Sequence, residues 1–131
     1  KWSAQAANDY MATILPEYSE ANGNMVELII CNNDGMAEGA VSALQGAGYN
    51  TGDGKTIPVF GVDATDSAKQ LINEGKMTGT IKQDAEGMAS TILNLVSSVQ
   101  GGGELMDNTS SFNVDEGVAK IRVPYATYTG E

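Results

Sequence analysis

The sequence predicts an α/β fold, a Rossmann-like parallel sheet with flanking helices, and three observations predict it. Apolar runs of strand length recur at residues 26–31, 57–62 and 77–81. Each run closes on a polar tip: Asn32-Asn33-Asp34, Asp63, and Lys82-Gln83-Asp84. After each tip, apolar residues return at helical spacing. Strand, tip and helix in threefold alternation is the pattern of parallel strands joined by crossover helices, and in such sheets ligands sit beyond the carboxyl ends of the strands. Asn33, Asp63 and Gln83 are then expected side by side. A chain of 131 residues with 41% apolar content is long and apolar enough to bury a core of its own.

Taken in order, Ser3 is placed to cap a first helix in which Ala6, Ala7, Tyr10, Met11, Ile14 and Leu15 share a face, stopping around Pro16 to Tyr18. A polar EANGN linker leads into VELIIC, whose near-continuous apolarity reads as a strand covered on both faces. Cys31, the sole cysteine, has no intrachain disulfide partner and reads as a small packed hydrophobe. Asp34 is placed to cap a second helix bearing Met36, Ala40, Val41 and Leu44, which glycines stop. The NTGDGKT turn precedes the second strand. Asp66-Ser67 opens a short helix through Ala68, Leu71 and Ile72, closed by Gly75. Residues 77–81 form a third strand. Residues 85–99 form a helix with Met88, Ile92, Leu95, Val96 and Val99 on one stripe, broken by three glycines. A last strand-like run spans residues 118–123, before Pro124.

Charge and composition narrow the function. Seventeen acids against seven bases leave a formal charge of −10 with no histidine. That field repels phosphate backbones and anionic membrane surfaces, so nucleic acid is not an expected partner. Without histidine the commonest general base and metal ligand is missing, which argues against serine-triad and zinc-hydrolase chemistry. The chain starts at Lys1 and shows no apolar run of signal-peptide or membrane-spanning length, so it reads as a processed or excised piece.

Asn, Asp and Gln side chains carry paired donors and acceptors suited to vicinal hydroxyl groups, such as those of a sugar. Trp2, the only tryptophan, is expected at the same rim, where an indole face can cover the C–H face of a pyranose. The same residues also read as turn formers, caps and core. A third reading gathers Asp34, Glu38, Asp63, Asp66 and Asp84, with Lys82, into a magnesium or phospho-acceptor cluster, an enzyme-class alternative.

Longer strings carry a resemblance. VELIICNNDGMAEGAVSALQ, then IPVFGVDAT, then GKMTGTIKQDAEGMA, and finally AKIRVPYATYT resemble, in that order, the C-terminal half of periplasmic galactose/glucose-binding proteins. The likeness runs from Trp2 to near Tyr128. It implies the truncated C-terminal lobe of a type I periplasmic binding fold, in which two α/β lobes close over a sugar and present it to an ABC importer. It divides the chain into an α/β core over residues 1–84, a helical segment over 85–111 that packs on the other lobe, and a returning strand and tail over 112–131.

By the same resemblance Trp2 stacks on one face of the sugar, Asn33 hydrogen-bonds ring hydroxyls, and Asp63 accepts from them. Gln83 stands where the family usually has Asn, which keeps the amide and lengthens its reach by one methylene. Glu27 matches a glutamate that completes a calcium site in full-length members; the oxygen-rich loop supplying the other ligands has no counterpart here, and Glu27 also reads as a solvent-facing edge residue. The implied function is non-enzymatic binding of a hexose such as galactose or glucose, with no cofactor required. The implied partners are a monosaccharide, the importer's membrane permease and the N-terminal portion of the same architecture. The implied location is extracytoplasmic, in the periplasm or on the cell surface as a lipoprotein. The alternative within the fold is the sugar-sensing core of a transcription regulator or chemoreceptor. Lacking the family's first strands, the 26–31 strand is expected to expose an edge through which a homodimer could form.

Overall fold

The structure is a computed structural model that describes residues 2–115, 117–118 and 120–131. The chain packs into two compact units: one runs to Lys82 and takes back Thr127–Glu131, and the other is Gln83–Ala126.

The first unit opens with α1 (Ala4–Ile14), whose N-terminus Ser3 caps by accepting from the Ala6 amide at 3.2 Å. Then follow β1 (Ile29–Ile30), α2 (Asp34–Gly46), β2 (Val59–Val62), α3 (Asp66–Asn73) and β3 (Gly79–Lys82). Strands β1, β2 and β3 are parallel neighbours, with Ile30 opposite Phe60 and Val62 opposite Ile81. The last strand, β6 (Ala126–Tyr128), completes the order β1-β2-β3-β6. The expected parallel α/β sheet is present.

Helix α1 packs on α2, and α2 on α3, so the three helices share one face of the sheet. Beneath them lies the core: Met11 and Leu15 from α1, Ala37, Ala40, Val41 and Leu44 from α2, Ala68 and Ile72 from α3, with Ile29, Cys31, Ile57, Val59 and Met77 from the sheet side. Burial pushes the Cys31 thiol up from its ordinary range. At Gly39, any Cβ would collide with the carbonyl oxygen of Ala4, so glycine there permits the α1–α2 contact. Asn8 Nδ2 donates to the Gly39 carbonyl at 3.2 Å across the same contact.

Two expectations need correction. The 26–31 run is not a strand covered on both faces. Only Ile29–Ile30 pair as β1, and burial alternates, with Ile29 and Cys31 buried while Leu28 and Ile30 are 52% and 75% exposed. The helices of this unit cover one face alone, and β1 has a strand neighbour on one side alone among the described residues. The amides of Ile29 and Cys31 donate to Pro58 and Phe60 of the β2 side, which turns the backbone groups of Ile30 toward the open edge. Nor does Asp34 cap α2. Asn33 does, its Oδ1 accepting from the Met36 amide at 2.9 Å, and Asp34 is the fully buried first residue of the helix.

The turn after α2 is organised by a residue that sequence reasoning passes over. Asn50 is fully buried with φ 52°. Its Nδ2 donates to the carbonyls of Ile57 (2.8 Å) and Lys76 (3.0 Å), and its Oδ1 accepts from the Ile57 amide at 2.9 Å. One side chain thus ties the entry to β2 to the approach to β3.

In the second unit, Asp84 caps α4 (Ala85–Gln100) by accepting from the Gly87 amide at 2.9 Å. The stripe expected on this helix leaves Ile92, Val96 and Val99, with Leu93, exposed. Strands β4 (Val114–Asp115) and β5 (Lys120–Ile121) pair antiparallel, braced by an Arg122–Asp115 ion pair at 2.7 Å. The strand-like run at 118–123 therefore contributes only Lys120–Ile121; its Ala119 lies outside the described residues. Among the described residues no helix is long and apolar enough to cross a membrane.

Asn50→Ala removes three hydrogen bonds, two of them buried, and should cost roughly 2–4 kcal/mol in urea unfolding. Asn50→Gly should cost nearly as much, because it relieves the backbone and not the bonds; near-wild-type stability of the glycine variant would show that φ, and not bonding, selects Asn. The open β1 edge carries its own expectation, a sedimentation coefficient that rises with concentration and falls back in Ile30→Lys. A concentration-independent monomer contradicts it.

Candidate functional site

The strand ends are built around a buried carboxylate. A fully desolvated carboxylate is costly unless its oxygens are satisfied, and Asp34 satisfies both. Its Oδ1 accepts from the Thr80 hydroxyl on β3 at 2.6 Å, and its Oδ2 accepts from the Thr65 amide in the β2–α3 corner at 2.8 Å. Thr80 Oγ1 in turn accepts from the Ala64 amide at 3.3 Å. The position of Asp34 in the first turn of α2 adds the favourable helix dipole. Bonds to an ionised acceptor contribute about 1.5–3 kcal/mol each, so this group fixes three consecutive strand ends to one another. Gly61, midway along β2, makes room: a Cβ there would run into Asp34 Oδ1.

Around this centre stand the expected ligand residues. Asn33 and Asp63 each lie three residues beyond the paired Ile30 and Phe60, so they occupy matching places at adjacent strand ends. Asn33 is half-buried. Its cap bond uses Oδ1, so the amide's Nδ2 is the end left to donate outward. The cap and ligand readings of Asn33 are thereby compatible. Asp63 is exposed, its amide donates to the Ile81 carbonyl at 2.8 Å, and its φ is 118°. Ala64 follows at φ 53° and is buried. Two successive non-glycine residues at positive φ are strained, and such strain persists only where surrounding contacts over-determine it. The bonds from Ala64 and Thr65 to Thr80 and Asp34 supply those contacts.

Trp2 is 73% exposed at the head of α1, whose start the Gly39 contact holds against the second turn of α2. Gln83 is half-buried and is the first residue of the second unit, directly after β3 in the chain. The sheet register thus puts Asn33 and Asp63 at matching places on neighbouring strand ends. Glu27 is exposed in the segment before β1. Among the described residues no group of three or more His, Cys, Asp or Glu side chains is arranged to hold a metal ion. One exposed carboxylate does not supply the six to eight oxygens that calcium takes, so these residues do not by themselves fit a calcium centre. The acid-cluster reading fares no better: Asp34 is committed to Thr80 and Thr65, while Glu38 accepts from Ser67 Oγ at 2.6 Å.

The roles of Asp34 and Thr80 were not legible as such in the sequence. The available signal is Gly61, a glycine inside a buried strand, which marks close approach by another group.

Comparison with known proteins places these features in a family. The family model described as periplasmic binding protein domain matches residues 1–104. The D-galactose/methyl-galactoside binding periplasmic protein MglB of Haemophilus influenzae is 34% identical over 124 residues, covering 95% of this chain and 34% of that protein. The D-allose-binding periplasmic protein of Escherichia coli is 28% identical over 119 residues, 89% of this chain and 35% of that protein. Among solved structures, a periplasmic solute binding protein of an ABC transporter from Actinobacillus succinogenes with bound D-allose superposes with TM-score 0.72 at 25% identity, over 98% of this chain and 37% of that one. An ABC transporter solute binding protein from Bacillus halodurans with bound myo-inositol gives TM-score 0.71 at 27% identity, over 98% of this chain and 37% of that one. The chain spans about a third of the length of these relatives. It has the α/β architecture of type I periplasmic binding proteins, and it belongs to the periplasmic binding protein domain family.

Proposed function

We propose that this chain carries one wall of the sugar site of an ABC importer's solute-binding protein, acts by binding without catalysis, and works outside the cytoplasm with a membrane permease as partner. The ligand proposed is a hexose, galactose or glucose. The observation that carries this reading is the pairing of Asn33 and Asp63 at neighbouring strand ends, the latter on a strained corner. Strain of that kind is retained where it aims a functional group. An amide donor beside a carboxylate acceptor matches a pair of vicinal hydroxyls, and a carboxylate accepting two hydroxyl protons forms charge-assisted bonds. Asp63 is thus the contact most costly to remove. Trp2 supplies an apolar platform for the C–H face of the ring.

The similarity to a galactose-binding protein supports galactose. Relatives and structural neighbours also bind allose, myo-inositol and glucose, so the shared chemistry is that of a polyhydroxylated ring. Gln83 is assigned to sugar contact from its match to the family position alone, and its added methylene is the feature proposed to adjust choice among hexoses.

The test is a nuclear magnetic resonance titration of the 131-residue chain with galactose, glucose, allose and myo-inositol. Weak binding of a hexose is expected, on the order of 1 mM, with shifts at the amides of residues 33 and 63–65. Asp63→Asn should weaken it by roughly tenfold or more. Gln83→Asn should change the ratio of galactose to glucose affinity more than it changes stability. Unchanged spectra with all four compounds overturn the sugar assignment.

A further inference from the structure

We propose that Asp34 is a positioning residue for carbohydrate binding, holding the Asp63–Ala64 corner in its left-handed conformation from inside the fold without touching the ligand. The inference rests on the sugar-binding reading of Asp63. Three observations carry it.

The first is burial: Asp34 is fully buried, and both its carboxylate oxygens are engaged by Thr80 Oγ1 and the Thr65 amide. A solvent ligand does not reach it. The second is direction. Its partners are not scattered but converge on one corner, directly through Thr65 and, through the Thr80 hydroxyl, on Ala64. Thr80 Oγ1 donates its proton to Asp34, so its lone pairs face the Ala64 amide; the three groups form a chain in which each donor has one acceptor. The third is strain. Asp63 at φ 118° and Ala64 at φ 53° sit where a side-chain-bearing residue is held only by its surroundings. The Ala64 amide is held by Thr80 Oγ1 and the Thr65 amide by Asp34 Oδ2, so loss of the Asp34 carboxylate takes away the contacts that hold these two amides from inside the fold. A relaxed backbone at residues 63 and 64 would change the direction in which the Asp63 side chain leaves the strand end.

Asp34 also links this corner to the other ligand candidate. It follows Asn33 in the chain, so the residue that caps α2 and the residue that anchors the corner move as one. Ligand-facing groups on two adjacent strand ends are therefore referenced to a single buried carboxylate.

The experiment uses the 131-residue chain with galactose as probe, comparing wild type with Asp34→Asn and the milder Thr80→Val, each alone and combined with Ala64→Gly. Backbone couplings and Cα and Cβ shifts of residues 63 and 64 report the corner, and the galactose dissociation constant reports its use. Both single variants are expected to move residues 63 and 64 away from left-handed values and to weaken galactose by roughly tenfold. Ala64→Gly, which adopts positive φ without penalty, is expected to restore part of that affinity. A purely structural role for Asp34 would lower the unfolding midpoint without this rescue. An unmoved corner in both variants, or a relaxed corner with unchanged galactose affinity, overturns the proposal. Absence of galactose binding by the unaltered chain overturns the sugar reading instead, and the corner couplings then judge the anchoring by itself.

Discussion

The Asp34 carboxylate is the constraint on which the strand ends depend. Its removal from water is tolerated because two hydrogen bonds and a helix N-terminus receive its charge. Those same bonds come from the β2–α3 corner and from β3, so the cost of burying one charge is offset by contacts that lock three elements. Gly61 belongs to the same arrangement, since a methyl group there would occupy the space of the carboxylate. A binding surface that must hold hydroxyl-recognising groups in fixed directions gains from such a scaffold, because contacts already oriented lose less freedom when a ligand arrives.

A second buried amide repeats the logic further from the rim. Asn50 joins the carbonyls of Ile57 and Lys76, and so sets where β2 and β3 begin, while Asp34 sets how they end. Between these two polar pins the core is filled by small and aliphatic side chains: alanines 37, 40 and 68 let the helices lie close, and Val41, Leu44 and Val59 fill the space beneath. The edge at β1 is different in kind. Leu28 and Ile30 are apolar and exposed, and Ile30 turns its backbone outward, so this side of the first unit offers what a further strand would use.

What could be read from the sequence was whatever is local. The alternation of apolar run, polar tip and helical stripe, the capping by Ser3, and the stop at Gly75 are all decided within a few residues, and each appears in the structure. What could not be read depends on distant partners. Asp34 looked like a cap because nothing nearby reveals Thr80, 46 positions later, and Asn50 looked like a turn residue because its partner Lys76 is 26 positions on. The 26–31 run misled for another reason. Its composition suits a strand enclosed on both faces, yet burial is a property of neighbours, and the described helices of the first unit line one face. At Asn33 the cap bond uses one end of the amide, so the observed capping does not compete with the ligand role proposed for the other end.

The central claim is that a buried carboxylate aims Asp63, together with Asn33, at vicinal hydroxyls. A crystal structure of the chain grown with saturating galactose tests it most directly. The account requires the ring at the ends of β1 and β2, with the Asp63 carboxylate accepting from two adjacent hydroxyls, Asn33 Nδ2 donating to a third oxygen, and Asp34 still bonded to Thr80 and Thr65. A sugar seated elsewhere, or a bound sugar with Asp63 turned to solvent, would contradict it.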